Sequence, residues 1–112
     1  MLNPTLKYHH IGIPTDEPHE GEEYLTGHHV YVSGYEESPY AIEWMRFERE
    51  STVPELVKRV PHVAFEVENL DEAIEGKEIL IPPNSPCEGV RVAFIIDNGA
   101  PVEFLEFEKS GR

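Results

Sequence analysis

The clearest alternation of apolar and polar positions lies in the second half of the chain. Residues 61–67, PHVAFEV, alternate small or apolar residues with others and predict a strand. Asn69 follows as an N-cap with Glu72 as its capping-box partner, so residues 70–74 predict a short helix. GKEILIPPNSP (76–86) predicts a strand that ends in a proline-rich turn. GVRVAFIID (89–97) is rich in β-branched residues and predicts another strand. DNGAP supplies turn chemistry, and PVEFLEFE (101–108) predicts a final strand. The predicted order is strand, helix, strand, strand, strand.

The first half gives a less regular version of that order. KYHHIGI (7–13), HHVYVSG (28–34) and YAIEWMRFE (40–48) predict strands, and YEESP (35–39) predicts a turn. TDEPHEGEEY (15–24) is acidic and carries Pro18 and Gly21, so any helix there must be short. VPELVKRV (53–60) predicts a short helix linking the halves. At an offset of sixty, residues 30–48 lie over residues 90–108 without a gap. Val30, Val32, Glu43, Phe47 and Glu48 then meet identical residues. At an offset of fifty-two, HHIGI lies over PHVAF, which pairs His10 with His62. A duplicated module explains both alignments. The expectation is a single domain over residues 1–112, made of two modules at about 1–50 and 60–112.

Each half then contributes one His near the start of its first strand and one Glu near the start of its last. Strand side chains alternate faces. Glu43 therefore shares a face with Met45 and Phe47, and Glu103 with Leu105 and Phe107. A buried, unpaired carboxylate is very unfavourable, so it must be protonated, paired with a cation or bound to a metal. Two imidazoles and two carboxylates from matched positions make a donor set for a divalent ion. The register slipped by one residue, with Trp44 and Phe104 inside and both glutamates in water, is also physically acceptable. His10 and His62 could then be strand-end histidines bonded to backbone.

Composition narrows the partners. The 112 residues suffice for one core, and no run of eighteen apolar residues exists. The net charge of −13 opposes binding to nucleic acid or to anionic membranes. The N-terminal stretch MLNPTLKYHH lacks the pattern of a signal peptide, which makes the cytoplasm the default location. The lone Cys87 excludes an intrachain disulfide and has no evident base beside it.

HHIGI, IEWMRFE, PHVAFEV with ENLDEA behind it, and DNGAPVEFLEFE together resemble the vicinal oxygen chelate superfamily of glyoxalases, bleomycin-resistance proteins and extradiol dioxygenases. The resemblance covers nearly the whole chain. It implies an α+β fold of two βαβββ modules forming an open, cup-like barrel of mostly antiparallel curved sheet. It also implies metal ligands at His10, Glu43, His62 and Glu103, with zinc, nickel, manganese or iron as the one divalent ion. This His-Glu-His-Glu set resembles the bacterial glyoxalase I branch. Methylmalonyl-CoA epimerases are similar, but typically carry Gln at the position of Glu43. A homodimer is the family expectation.

The implied activity is that of a metal-dependent lyase or isomerase on a small α-oxygenated carbonyl compound, through a metal-stabilised enediolate. Glu103 or Glu43 would be the catalytic base. A binding protein of the bleomycin-resistance type and a ring-cleaving dioxygenase are the rival readings. No basic cluster for glutathione or coenzyme A is evident, and Arg46 should face away from Glu43. His9 should point away from His10 toward the surface. One of His28 and His29 should face inward, and His19 should be solvated in its acidic loop.

Overall fold

The computed structural model describes residues 2–108. The strands are β1 (Lys7–Pro14), β2 (Glu23–Leu25), β3 (Val30–Ser33), β4 (Ile42–Phe47), β5 (His62–Glu66), β6 (Glu78–Cys87), β7 (Val90–Asp97) and β8 (Ala100–Phe107). They form one sheet in the order β2-β3-β4-β1-β5-β8-β7-β6. Two short helices, α1 (Glu55–Arg59) and α2 (Leu70–Ile74), complete the secondary structure with a 3-10 turn at Thr26–His28. The pairs β1–β4 and β5–β8 are parallel and the other neighbours antiparallel. The sheet curls into the open α+β cup that the sequence predicts.

Strand order reads the same from either edge, with β1 and β5 paired at the centre. The registers repeat as well. Val30 faces Phe47 as Val90 faces Phe107, and Val32 faces Met45 as Val92 faces Leu105. Gly12 lies beside Glu43 as Ala64 lies beside Glu103. Across the central pair, His10 lies opposite Ala64 and Gly12 opposite His62. These are the pairings that offsets of sixty and fifty-two require.

The outer face of the second module carries the main core. Leu70 of α2 is fully buried in a cluster with Val67, Ala93, Ile95 and Phe104. Removing such a side chain from water stabilises by about 1.5–3 kcal/mol. The Asn69 side chain accepts from the Glu72 amide at 3.0 Å, the cap that the sequence predicts. The Glu106 carboxylate accepts from the Leu70 amide at 3.0 Å and ties α2 to β8. The tight β7–β8 hairpin turns through Asn98 and Gly99, both at positive φ.

Two segments differ from expectation. The acidic stretch between β1 and β2 forms no α-helix, so the first module lacks the covering helix of a full βαβββ unit. Pro18 and Gly21 interrupt it, and His19 stacks on Trp44 instead, with centroids 5.1 Å apart. His19 is therefore half-buried, not the solvated loop residue expected. Strand β6 continues through Pro82, Pro83 and Pro86 rather than ending before them. It ends the sheet, where a missing N–H need not break a ladder, and three register shifts absorb the misfit. No described helix is long and apolar enough to cross a membrane.

Candidate metal centre

The inner face of the cup gathers the predicted donors. His10 comes from β1, Glu43 from β4, His62 from β5 and Glu103 from β8. His62 Nε2 lies 3.0 Å from Glu103 Oε1, and His10 Nε2 lies 3.4 Å from the same oxygen. His10, His62 and Glu103 are all buried, and their ligand atoms lie within 4.8 Å of one another. Glu43 stands to one side, half-buried, with Oε1 3.7 Å from His10 Nε2. The register with both glutamates inward is the one adopted, so the carboxylates do share a face with Met45 and Leu105.

Local packing orients these groups. The imidazole of His62 lies against the backbone of Gly12. A Cβ at position 12 would sit 2.3 Å from His62 Cε1, so only glycine admits the ring there. Phe94 meets the same ring edge-on at 4.9 Å. His62 Nδ1 is buried without a hydrogen-bond partner, so the ring is held by packing on that side. Ala64, the counterpart of Gly12, is fully buried.

His9 was not legible as a site residue. Between Tyr8 and His10 the β1–β5 register shifts by one residue, a bulge that breaks the alternation of side chains. His9 consequently lines the same cavity as His10 instead of pointing to the surface. Its Nδ1 lies 2.8 Å from His10 Nδ1, and its ring stacks on Tyr35 at 5.3 Å. The Tyr35 hydroxyl reaches His9 Nε2 at 3.5 Å. His10 thus presents Nε2 to the carboxylates and Nδ1 to His9, the kind of outer partner that fixes a ligand's tautomer. The doublet His9-His10 was the only signal available in the sequence. Of the other histidines, His28 lines the cavity, while His29 bonds Tyr24. Arg46 faces outward as expected, clamped by Glu22 at 2.6 and 2.8 Å.

Electrostatics separate the two glutamates. Burial works against the Glu103 carboxylate, but hydrogen bonds from His10 and His62 and their charges outweigh it. Its pKa is held down to about 2. Burial pushes the Glu43 carboxyl up, and the neighbouring Glu103 charge adds to this against the pull of His10 and His62. Burial disfavours the His10 imidazolium, yet the Glu103 hydrogen bond and the Glu103 and Glu43 charges together raise its pKa. Burial and the adjacent His10 lower the pKa of His9 and favour its neutral ring.

Two imidazoles and a carboxylate converging in a buried pocket fit a divalent transition ion. The described residues hold three of the four predicted ligands close together and leave Glu43 at the flank.

No family model matches the chain, and no curated protein matches it. Solved structures do. The hypothetical protein BH1468 from Bacillus halodurans C-125 superposes with a TM-score of 0.69 at 23% identity, covering 96% of this chain and 99% of that one. Methylmalonyl-CoA epimerase from Mycobacterium tuberculosis superposes with a TM-score of 0.64 at 19% identity, covering 97% and 94%. The chain shares the fold of these two proteins. Among the described residues no α-helix covers the first half of the sheet as α2 covers the second.

Proposed function

We propose that His10, His62 and Glu103 hold one divalent metal ion and that Glu43 is the base of an isomerase or lyase acting on a small α-oxygenated carbonyl compound. The observation that carries this reading is the convergence of two buried imidazoles on one oxygen of a buried carboxylate, Glu103 Oε1. When bound, the ion would act as a Lewis acid toward the negative charge that develops on a substrate oxygen as the adjacent C–H is deprotonated.

The chain's own residues divide the remaining work. Glu103 stays ionised and joins both imidazoles. Glu43, whose pKa is raised by burial, is suited to accept a carbon-bound proton and return it to a neighbouring carbon. His9 holds His10 at Nδ1 and leaves Nε2 facing the donors. The resemblance to a methylmalonyl-CoA epimerase fold supports proton-transfer chemistry as a class, without naming a substrate. The reading includes a homodimer, since β2 ends the sheet with three exposed residues and an open edge.

The test is calorimetric titration of metal-free protein, purified without a histidine tag, with Ni²⁺, Zn²⁺ and Mn²⁺. One ion per chain, with a rise in melting temperature, is expected for the wild type and absent in His62→Ala. No binding of any of the three ions would contradict the reading. Incorporation of solvent deuterium into hydroxyacetone by the loaded protein tests the proton transfer.

A second reading has one observation of its own. With Glu43 at the flank, the close set is two His and one carboxylate, the donor set of non-haem Fe²⁺ oxygenases. Oxygen uptake with a catechol by the Fe²⁺-loaded protein, lost on chelation, would favour it over isomerisation.

A further inference from the structure

The cup encloses a cavity of about 610 Å³. Glu43, Glu103 and His10 lie together on one part of its wall, and the rest is largely hydrocarbon apart from His9, His28, Tyr35, Thr52 and Asn84. Met45 and Phe47 come from the first module, Phe94 and Leu105 from the second, and Ile81 and Pro86 from the edge strand β6. Among the described residues no lysine or arginine lines it; its acidic groups are Glu43 and Glu103. Two of the chain's cations are engaged elsewhere. Arg46 is clamped by Glu22, and Arg91 pairs with Asp71 and Glu106.

A carboxylate or phosphate brought into this cavity would meet largely apolar walls and two acidic side chains, with no lysine or arginine to offset its lost hydration. An aryl or branched alkyl group would instead exchange water for the side chains of both modules. We infer, on the basis of the metal-site reading above, that the substrate is an uncharged α-hydroxycarbonyl compound with an apolar aromatic or branched aliphatic body. The reaction this supports is internal. The carbinol carbon loses its C–H proton to Glu43, and the neighbouring carbonyl carbon receives a proton from it. The hydroxyl proton passes to the former carbonyl oxygen. One C–H and one O–H bond break and one of each forms, so no external oxidant or reductant is required.

The test compares 2-hydroxyacetophenone with its ring 4-carboxylate by NMR titration, in both Ni²⁺-loaded and metal-free protein. The neutral ligand should bind at least about tenfold more tightly than the carboxylate in both forms, because the walls and not the ion discriminate. It should also shift the methyl signals of Met45 and Leu105. Leu25→Lys, at an exposed lining position, should reduce the ratio severalfold by supplying a cation. Equal or tighter binding of the carboxylate overturns the inference, as does binding of neither ligand. An unchanged ratio in Leu25→Lys overturns charge as its cause. Failure of Ni²⁺ binding with the neutral preference intact counts against the metal site alone. Loss of the preference with Ni²⁺ binding intact counts against the substrate class alone.

Discussion

The two modules share their registers but not their surroundings. In the second, α2 covers the outer face over Phe104, and Glu103 is sealed beneath two imidazoles. In the first, a stacked His19 covers Trp44, every residue of β4 is only half-buried, and Glu43 reaches one imidazole at 3.7 Å. Equivalent backbone positions therefore hold carboxyls whose acidities are pushed in opposite directions. The matched registers supply equivalent positions, and the packing around each position decides what its side chain can do. A pair of carboxylates driven apart in this way is suited to separate roles as ligand and base.

The largest effect expected from this asymmetry is on stability against pH in the metal-free protein. The pKa of Glu103 is lower folded than unfolded, so its contribution is present above the ordinary carboxylate range and is lost as pH falls from about 5 toward about 2. That loss is on the order of 3 kcal/mol and should disappear in Glu103→Gln. Glu43 and His10 have raised values, so their contributions are present at lower pH and fade as pH rises through those values. Melting temperatures of Glu43→Gln should accordingly exceed the wild type's on the alkaline side. Melting curves across this pH range check both signs.

Next in size is the kinetic division of labour. Glu43→Gln should slow deuterium exchange into hydroxyacetone by about 100-fold or more, the scale of a lost general base. Bound metal content should change little.

The central pair offers a finer comparison. Gly12→Ala should displace His62 and destabilise by about 1–3 kcal/mol, because the added Cβ overlaps the ring. Ala64→Gly, at the symmetric position, should cost only about 0.5–1 kcal/mol through backbone freedom. Denaturant midpoints of the two variants measure the difference. The smallest effect should come from His9→Phe, which keeps a ring against Tyr35 but removes the partner of His10 Nδ1. A loss of about tenfold in Ni²⁺ affinity is expected, with the melting temperature of the metal-free protein nearly unchanged.

Much of this arrangement was legible in the residues. The identities at an offset of sixty fixed β4 against β8, and the His10–His62 match aligned β1 with β5, as the observed registers require. Alternation placed Glu43 and Glu103 on matched faces but left open which face turns inward, and the observed cavity lining decides it. What escaped depends on neighbours that sequence does not display. The bulge that turns His9 inward exists only in the pairing of β1 with β5. Strand β6 tolerates its prolines because it ends the sheet, a fact about topology and not about local propensity. The unequal burial of the two glutamates follows from inner-face packing, where Glu103 meets both imidazoles and Glu43 only one, and not from the helix missing over the first half. Pro18 and Gly21 hinted at that loss, but not at His19 taking the helix's place over Trp44.

The central claim is that symmetric glutamates have become a ligand and a base. Calorimetric titration of Ni²⁺ into Glu43→Gln and Glu103→Gln, side by side under the same buffer, tests it most directly. The account predicts that stoichiometric binding survives in Glu43→Gln within about tenfold of the wild type and is lost in Glu103→Gln. Equal loss in both variants, or loss in Glu43→Gln alone, would contradict it.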